Sequence, residues 1–207
     1  VCPVQLPGRG NRLQEPSFTR LVDLVQALNQ ALFPYFDKPF AFFGHSMGAM
    51  IAFELARSLR RDYGLEPMHL FVSGRVAPQI RRQEPITYDL PEPELLEELR
   101  RLNGTPKEVL EHPELMQLML PLIRADFQVV QTYKYSPEPP LSCPISAFGG
   151  LQDQGVSRAA LEAWREQTAA TFIIRMFDGD HFFLHGVQPL FLSILAQELY
   201  GLVKSIG

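Results

Sequence analysis

Five residues, Gly44-His45-Ser46-Met47-Gly48, form a G-x-S-x-G between a short apolar run and an amphipathic stretch. A serine held in a sharp strand-to-helix turn presents its hydroxyl clear of the sheet, where it can act as a nucleophile. Small flanking residues let the backbone take the strained conformation that such a turn demands. The helix that follows directs its positive end and unpaired N–H groups at the serine, so the Met47 N–H can bind a developing oxyanion. The bare pattern arises by chance in roughly one chain in fifteen of this length, at glycine and serine frequencies of about 7% each. Its flanking elements therefore carry the argument against a plain glycine-rich turn.

A serine hydroxyl needs a base, and the base needs a carboxylate to orient it. In this setting the chain order is serine, acid, histidine, with the last two in loops at the carboxyl ends of later strands. Two loops qualify: Gly149-Gly150-Leu151-Gln152-Asp153, and Asp178-Gly179-Asp180-His181. Asp153 and His181 are the candidates. Asp178 and Asp180 are rival acids, although neither comes from a separate strand end that could approach the ring from the side. Among the other histidines, His45 lies inside the turn and packs beside the nucleophile. His69 opens a strand, His112 precedes Pro113, and His185 lies one turn past His181.

The elements that must position these residues follow a regular rhythm. Val1 to Leu6 reads as a strand closed by the turn-rich Pro7-Gly8-Arg9-Gly10-Asn11. Leu21, Leu24, Val25, Leu28, Ala31 and Leu32 recur at helical spacing. Phe40-Ala41-Phe42-Phe43 lacks alternation, as expected of a strand covered on both faces in a parallel sheet. A helix through Met50, Phe53, Leu55, Ala56 and Leu59 and a strand at His69–Ser73 continue the pattern. From Arg75 to Tyr133 only helical signals occur. Pro93 to Leu102 is expected to stop at Asn103-Gly104, and Thr105-Pro106-Lys107-Glu108 is a capping box with proline at the first helical position. Glu114 to Tyr133 is a longer helix. This insertion, about 77–133, reads as a lid. Strands are expected again at 144–148 and 171–177, with a helix capped by Ser157 between them and a last helix near 189–203. The fold class is therefore α/β: a mostly parallel sheet with flanking helices and a helical insertion.

Composition sets the outer limits. The chain has 207 residues, 46% hydrophobic and 20% charged, which suits a globular domain with a real core. Nineteen basic and 23 acidic residues leave a net charge of −4, so there is no electrostatic case for nucleic acid. No apolar run approaches the roughly 20 residues of a membrane span. Cys2 and Cys143 make neither a disulfide framework nor a metal cluster, so a reducing cytoplasm is expected, and chemistry run by a serine, a histidine and an acid calls for no metal or bound cofactor. Modest charge and the lack of a heptad run favour a monomer.

The chain resembles the type II thioesterases of polyketide and nonribosomal peptide synthesis, relatives of the medium-chain thioesterase of fatty acid synthesis. Leu6-Pro7-Gly8-Arg9-Gly10-Asn11-Arg12, Phe43-Gly44-His45-Ser46-Met47-Gly48-Ala49 and Leu122-Ile123-Arg124-Ala125-Asp126-Phe127 carry the likeness. So do Gly149-Gly150 with Asp153, Ala163-Trp164, and Gly179-Asp180-His181-Phe182-Phe183. The resemblance implies an α/β-hydrolase fold with Ser46 as nucleophile, His181 as base and Asp153 as its orienter. It also implies acyl thioesters on the phosphopantetheine arm of acyl or peptidyl carrier proteins as substrates, and editing of misprimed or stalled carriers. A chain-releasing thioesterase domain, an oxygen-ester hydrolase and a non-catalytic carrier-binding protein are the alternatives. Asp126 has two readings, a structural carboxylate satisfied by a cap or an arginine, and a residue of the substrate tunnel. Members of the family begin with a strand and a glycine-containing loop that donates the second oxyanion N–H. This sequence starts at Val1, past that point, so the polypeptide made alone is expected to fold poorly and to be nearly inactive.

Overall fold

The unalternating apolar runs form the strands of a parallel sheet, seen in a computed structural model that describes residues 1–80, 85–102, 104–105 and 107–204. In chain order the first elements are α1 (Leu21–Leu32), β1 (Ala41–His45), α2 (Met47–Tyr63) and β2 (His69–Ser73). Then come α3 (Glu92–Leu102), α4 (Lys107–Leu110), α5 (Pro113–Thr132), β3 (Ile145–Gly150) and α6 (Arg158–Glu162). β4 (Phe172–Phe177), α7 (Phe183–Gly186) and α8 (Gln188–Lys204) are the last of the described elements. The residues group into two units, Val1–Gln30 with Arg82–Tyr135, and Ala31–Arg81 with Ser136–Gly207.

The second unit holds the sheet, in order β1-β2-β3-β4 with every pair parallel. Because the strands run the same way, His45, Ser73, Gly150 and Phe177 all finish at one edge, where ligands of open α/β sheets bind. β2 and β3 are buried along their whole length. Phe71, Phe148, Phe177, Phe183 and Phe191 pack as one cluster, with the Phe177 and Phe183 rings stacked 5.4 Å apart. At the opposite end of the strands, His69 Nε2 lies 2.9 Å from Ser146 Oγ, and Ser146 donates to Glu198 of α8 at 2.6 Å. Arg175 donates to the other Glu198 oxygen at 3.2 Å. Burial, against the opposing pull of Glu198, lowers the His69 pKa, so this ring is neutral in the network.

Trp164 fixes the segment that leaves β2. It is 1% exposed, meets Phe53 edge-on at 5.2 Å, and donates its indole N–H to the Arg75 carbonyl at 2.8 Å. Arg75 follows Ser73-Gly74, so this bond holds the sheet edge where the catalytic candidates gather.

The helical unit has its own core of Leu95, Leu99, Leu110, Met116 and Leu120. His112 caps α5, its ring nitrogen accepting the Leu115 N–H at 3.5 Å, and Pro113 takes the first helical position. Gln131 exchanges hydrogen bonds with Thr87 at 2.9 and 2.7 Å. Asp126 pairs with Arg9 at 2.8 Å, which is the structural reading of this carboxylate. Burial pushes its pKa up and Arg9 pulls it down, with burial prevailing. Between Arg75 and Tyr133 the described residues contain helices and no strand, as the sequence pattern predicts.

Val1 to Leu6 differs from expectation and forms no strand. A strand exists through its ladder, and no described residue pairs with this segment. Its polar groups bond locally instead, Gln5 Nε2 to the Arg9 carbonyl and Arg12 to the Gln5 carbonyl, both at 2.8 Å. The expected stop at Asn103 and the helix start at Pro106 lie outside the described residues. Among the described residues no helix is long and apolar enough to cross a membrane, and no cluster of His, Cys, Asp and Glu could hold a metal ion.

Trp164→Ala is expected to cost about 3–5 kcal/mol through the cavity it leaves. Trp164→Phe should cost less, about 1–3 kcal/mol, mainly through the unpaired Arg75 carbonyl. Denaturant titrations followed by circular dichroism measure both, since the fluorophore itself is replaced.

Candidate active site

Ser46 joins β1 to α2 with φ 52° and ψ −115°. Among the described residues other than glycine, it alone has positive φ. Such a backbone costs on the order of 1–3 kcal/mol and must be over-determined by its surroundings. Two contacts do this. The Ser46 N–H donates to the Ser73 carbonyl at 2.7 Å, tying the turn to the end of β2. Gly44 meets the backbone of α2 so closely that a Cβ would lie 2.1 Å from the Gly48 carbonyl oxygen. Gly48 differs, with nothing within 4 Å of an added Cβ. Of the two motif glycines, only the first is required by space. The Met47 N–H lies in the first turn of α2, where backbone donors lack intrahelical acceptors.

The structure brings Asp153 and His181 together. His181 Nδ1 lies 2.7 Å from Asp153 Oδ2, and Asp153 Oδ1 accepts the N–H groups of Gly155 and Val156 at 2.9 and 3.1 Å. Burial raises the Asp153 pKa, but the bond from His181 and the two backbone donors outweigh it and hold the carboxyl below its ordinary value. The pair leaves His181 Nε2 as the ring nitrogen able to exchange a proton. The rival Asp180 accepts the Phe182 N–H at 2.8 Å, within its own turn.

The two loops are clamped to each other. Leu151 N–H donates to Phe177 O at 2.8 Å and Gln152 N–H to Gly179 O at 2.9 Å, while the Gln152 side chain accepts the Gly179 N–H. A Cβ on Gly150 would sit 2.2 Å from the Asp180 carbonyl oxygen, so the loops touch backbone to backbone. Gln152 is a positioning group that the sequence reading missed. Its only signal was adjacency to the acid.

His45 packs at the site as expected. Its ring centroid is 5.1 Å from that of His181, and its Nδ1 is 2.9 Å from Ser73 Oγ. Burial first, then the neighbouring His181, brings its pKa down to about 4.

A strained serine between strand and helix, with an acid and a histidine joined in the loops that follow β3 and β4 of a parallel sheet, is the architecture of an α/β-hydrolase. The thioesterase-domain family matches residues 1–197, and the chain belongs to that family of thioester hydrolases. The protein named linear gramicidin dehydrogenase LgrE of Brevibacillus parabrevis is 50% identical over 202 residues, 96% of this chain and 77% of the relative. Gramicidin S biosynthesis protein GrsT of Aneurinibacillus migulanus is 47% identical over 199 residues, 96% of this chain and 78% of the relative. The solved structure of BorB, a type II thioesterase from the borrelidin biosynthetic cluster, matches with a TM-score of 0.86 at 39% identity, covering 95% of this chain and 80% of its own. The resemblance carried by the L-P-G-R, R-A-D-F and G-D-H-F-F segments is borne out.

Gly44→Ala should lower stability by about 3 kcal/mol or more by overpacking. Gly48→Ala should leave it unchanged or raise it by about 0.5–1 kcal/mol, alanine being the better helix former. Chemical denaturation midpoints compare the two. A pH effect follows from His45, which takes up a proton near pH 6.5 when unfolded but only near about pH 4 when folded. Its contribution to stability is complete above pH 6.5 and drains away as pH falls to about 4. His45→Gln should flatten the dependence of unfolding free energy on pH within that window.

Proposed function

We propose that this chain hydrolyses acyl thioesters on the phosphopantetheine arm of acyl or peptidyl carrier proteins, with Ser46, His181 and Asp153 as a catalytic triad. The observation that carries the reading is the 2.7 Å pair between Asp153 and His181 at the sheet edge that also presents Ser46. It rests on these residues and not on the relatives' names, one of which denotes a dehydrogenase.

Ser46 Oγ attacks the thioester carbonyl carbon while His181 Nε2 takes its proton. The oxyanion is bound by the Met47 N–H at the positive end of α2. When the tetrahedral adduct collapses, the C–S bond breaks and the thiol leaves with the proton from His181. Water then attacks acyl-Ser46 with His181 again as base, releasing the carboxylic acid and restoring the serine. Asp153, held below its ordinary pKa, stays ionised, fixes the Nδ1–H tautomer and offsets the imidazolium charge. In the cell this chemistry clears misprimed or stalled carriers of polyketide and nonribosomal peptide synthesis, in the cytoplasm and as a monomer. Residues 77–133 are the proposed lid and the determinant of acyl preference, which exchange of that segment between relatives and a chain-length profile would test.

Mass spectrometry of acyl-carrier substrates of graded length should show loss of the acyl group with the wild type. Ser46→Ala and His181→Ala should each lower kcat by at least about 10⁴-fold, and Asp153→Asn by about 10⁴-fold. Fluorophosphonate should label the wild type and fail to label Ser46→Ala. A kcat/KM that favours simple oxygen esters over carrier thioesters would overturn the substrate assignment, and carrier binding without turnover would overturn the enzyme.

A further inference from the structure

We infer that His45, the residue before the nucleophile, is a positioning residue for His181, a ring anchored on Ser73 that fixes where the His181 imidazole stands. The inference rests on the triad reading above and gives a role to a motif position that the triad leaves unused.

Three observations carry it. First, Ser73 pins two things at once. Its hydroxyl lies 2.9 Å from His45 Nδ1, and its carbonyl accepts the Ser46 N–H at 2.7 Å. Ser73 is fully buried, so neither bond is exposed to competing water. The ring of residue 45 and the backbone of the nucleophile are thus referred to one point at the end of β2. Second, the rings of His45 and His181 share the space over Gly74. A Cβ there would lie 2.6 Å from His45 Cε1 and 3.3 Å from His181 Cε1. Gly74 itself is in the left-handed region at φ 59°, and its N–H is held by the Phe148 carbonyl at 2.9 Å. Third, Phe182 and Phe183 approach the His45 ring at 5.9 and 6.1 Å and hold it in place. His45 therefore touches His181 by ring packing, which sets its position without competing for Nδ1, already bound to Asp153.

Charge matters as well as shape. When His181 takes the serine proton it becomes an imidazolium, which a second cation 5.1 Å away would oppose. The ionisable groups facing His45 are His181 and Asp153 on the two loops and His185 on α7, and burial outweighs the attraction of Asp153 to keep His45 neutral well below pH 7. The residue is thus a neutral wall.

The test compares His45→Ala, which removes the wall, with His45→Gln, whose amide can still bond Ser73 Oγ and carries no charge. The readouts are kcat and KM on acyl thioesters of N-acetylcysteamine, and the downfield proton resonance of the His181–Asp153 hydrogen bond. His45→Ala should lower kcat about 10- to 100-fold with KM within about threefold, the scale of a misplaced catalytic group, and should broaden or remove the resonance. His45→Gln should keep kcat within about threefold of wild type and retain the resonance. If His45→Ala does not fold, His45→Leu, which fills space without reaching Ser73, takes its place with the same expectation. Unchanged kcat and resonance in the Ala or Leu variant would overturn the inference, as would equal loss of kcat in both variants with the resonance intact. A wild type without Ser46-dependent turnover would instead sink the triad reading, leaving His45 to be judged by the resonance alone.

Discussion

Everything at the sheet edge depends on a backbone conformation that Ser46 would not choose. At φ 52° and ψ −115° it is held by the Ser73 carbonyl on one side and by the close fit of Gly44 against α2 on the other. The strain is sustained because both supports belong to buried, regularly paired structure. β2 is covered on both faces, and its register with β1 sets Gly44 opposite Val72 and His45 opposite Ser73. A loop-borne serine could relax; this one has its exit blocked by a strand and a helix.

The electrostatics of the site follow from how each group is buried. Asp153 and His45 both lose solvent, and the outcomes differ because their partners differ. Asp153 gains a histidine and two backbone donors, all of which favour its charge, and so ends below its ordinary pKa. His45 gains mainly a neighbouring histidine, which opposes its charge, and so ends neutral. One ionised acid and one uncharged ring then bracket His181.

Much of this was legible in the sequence because it is carried by local signals. The Phe40–Phe43 run, the G-x-S-x-G and the helical period after it located β1, Ser46 and α2 to within a few residues. Chain order selected Asp153 over Asp178 and Asp180, and the geometry pairs it with His181. What could not be read depends on contacts between distant segments. The difference between Gly44 and Gly48 is invisible in a motif that writes both alike, since only Gly44 meets the opposing backbone. The Gln152 clamp on Gly179 joins residues 27 apart with no periodic or compositional mark. The apolar run at Val1–Leu6 satisfied strand chemistry locally, but a ladder needs a partner that local chemistry does not supply. Asp126 fell on an apolar helix stripe, and only its tie to Arg9, 117 positions away, gives it a role.

The opposite end of the sheet carries a second histidine, serine and acid, in His69, Ser146 and Glu198. There the hydroxyl hydrogen points at the carboxylate and the imidazole donates to the oxygen, so the flow of protons runs the wrong way to create an alkoxide. The same three residue types that make a reactive centre at one rim make a rivet at the other, and the direction of one O–H bond separates the two.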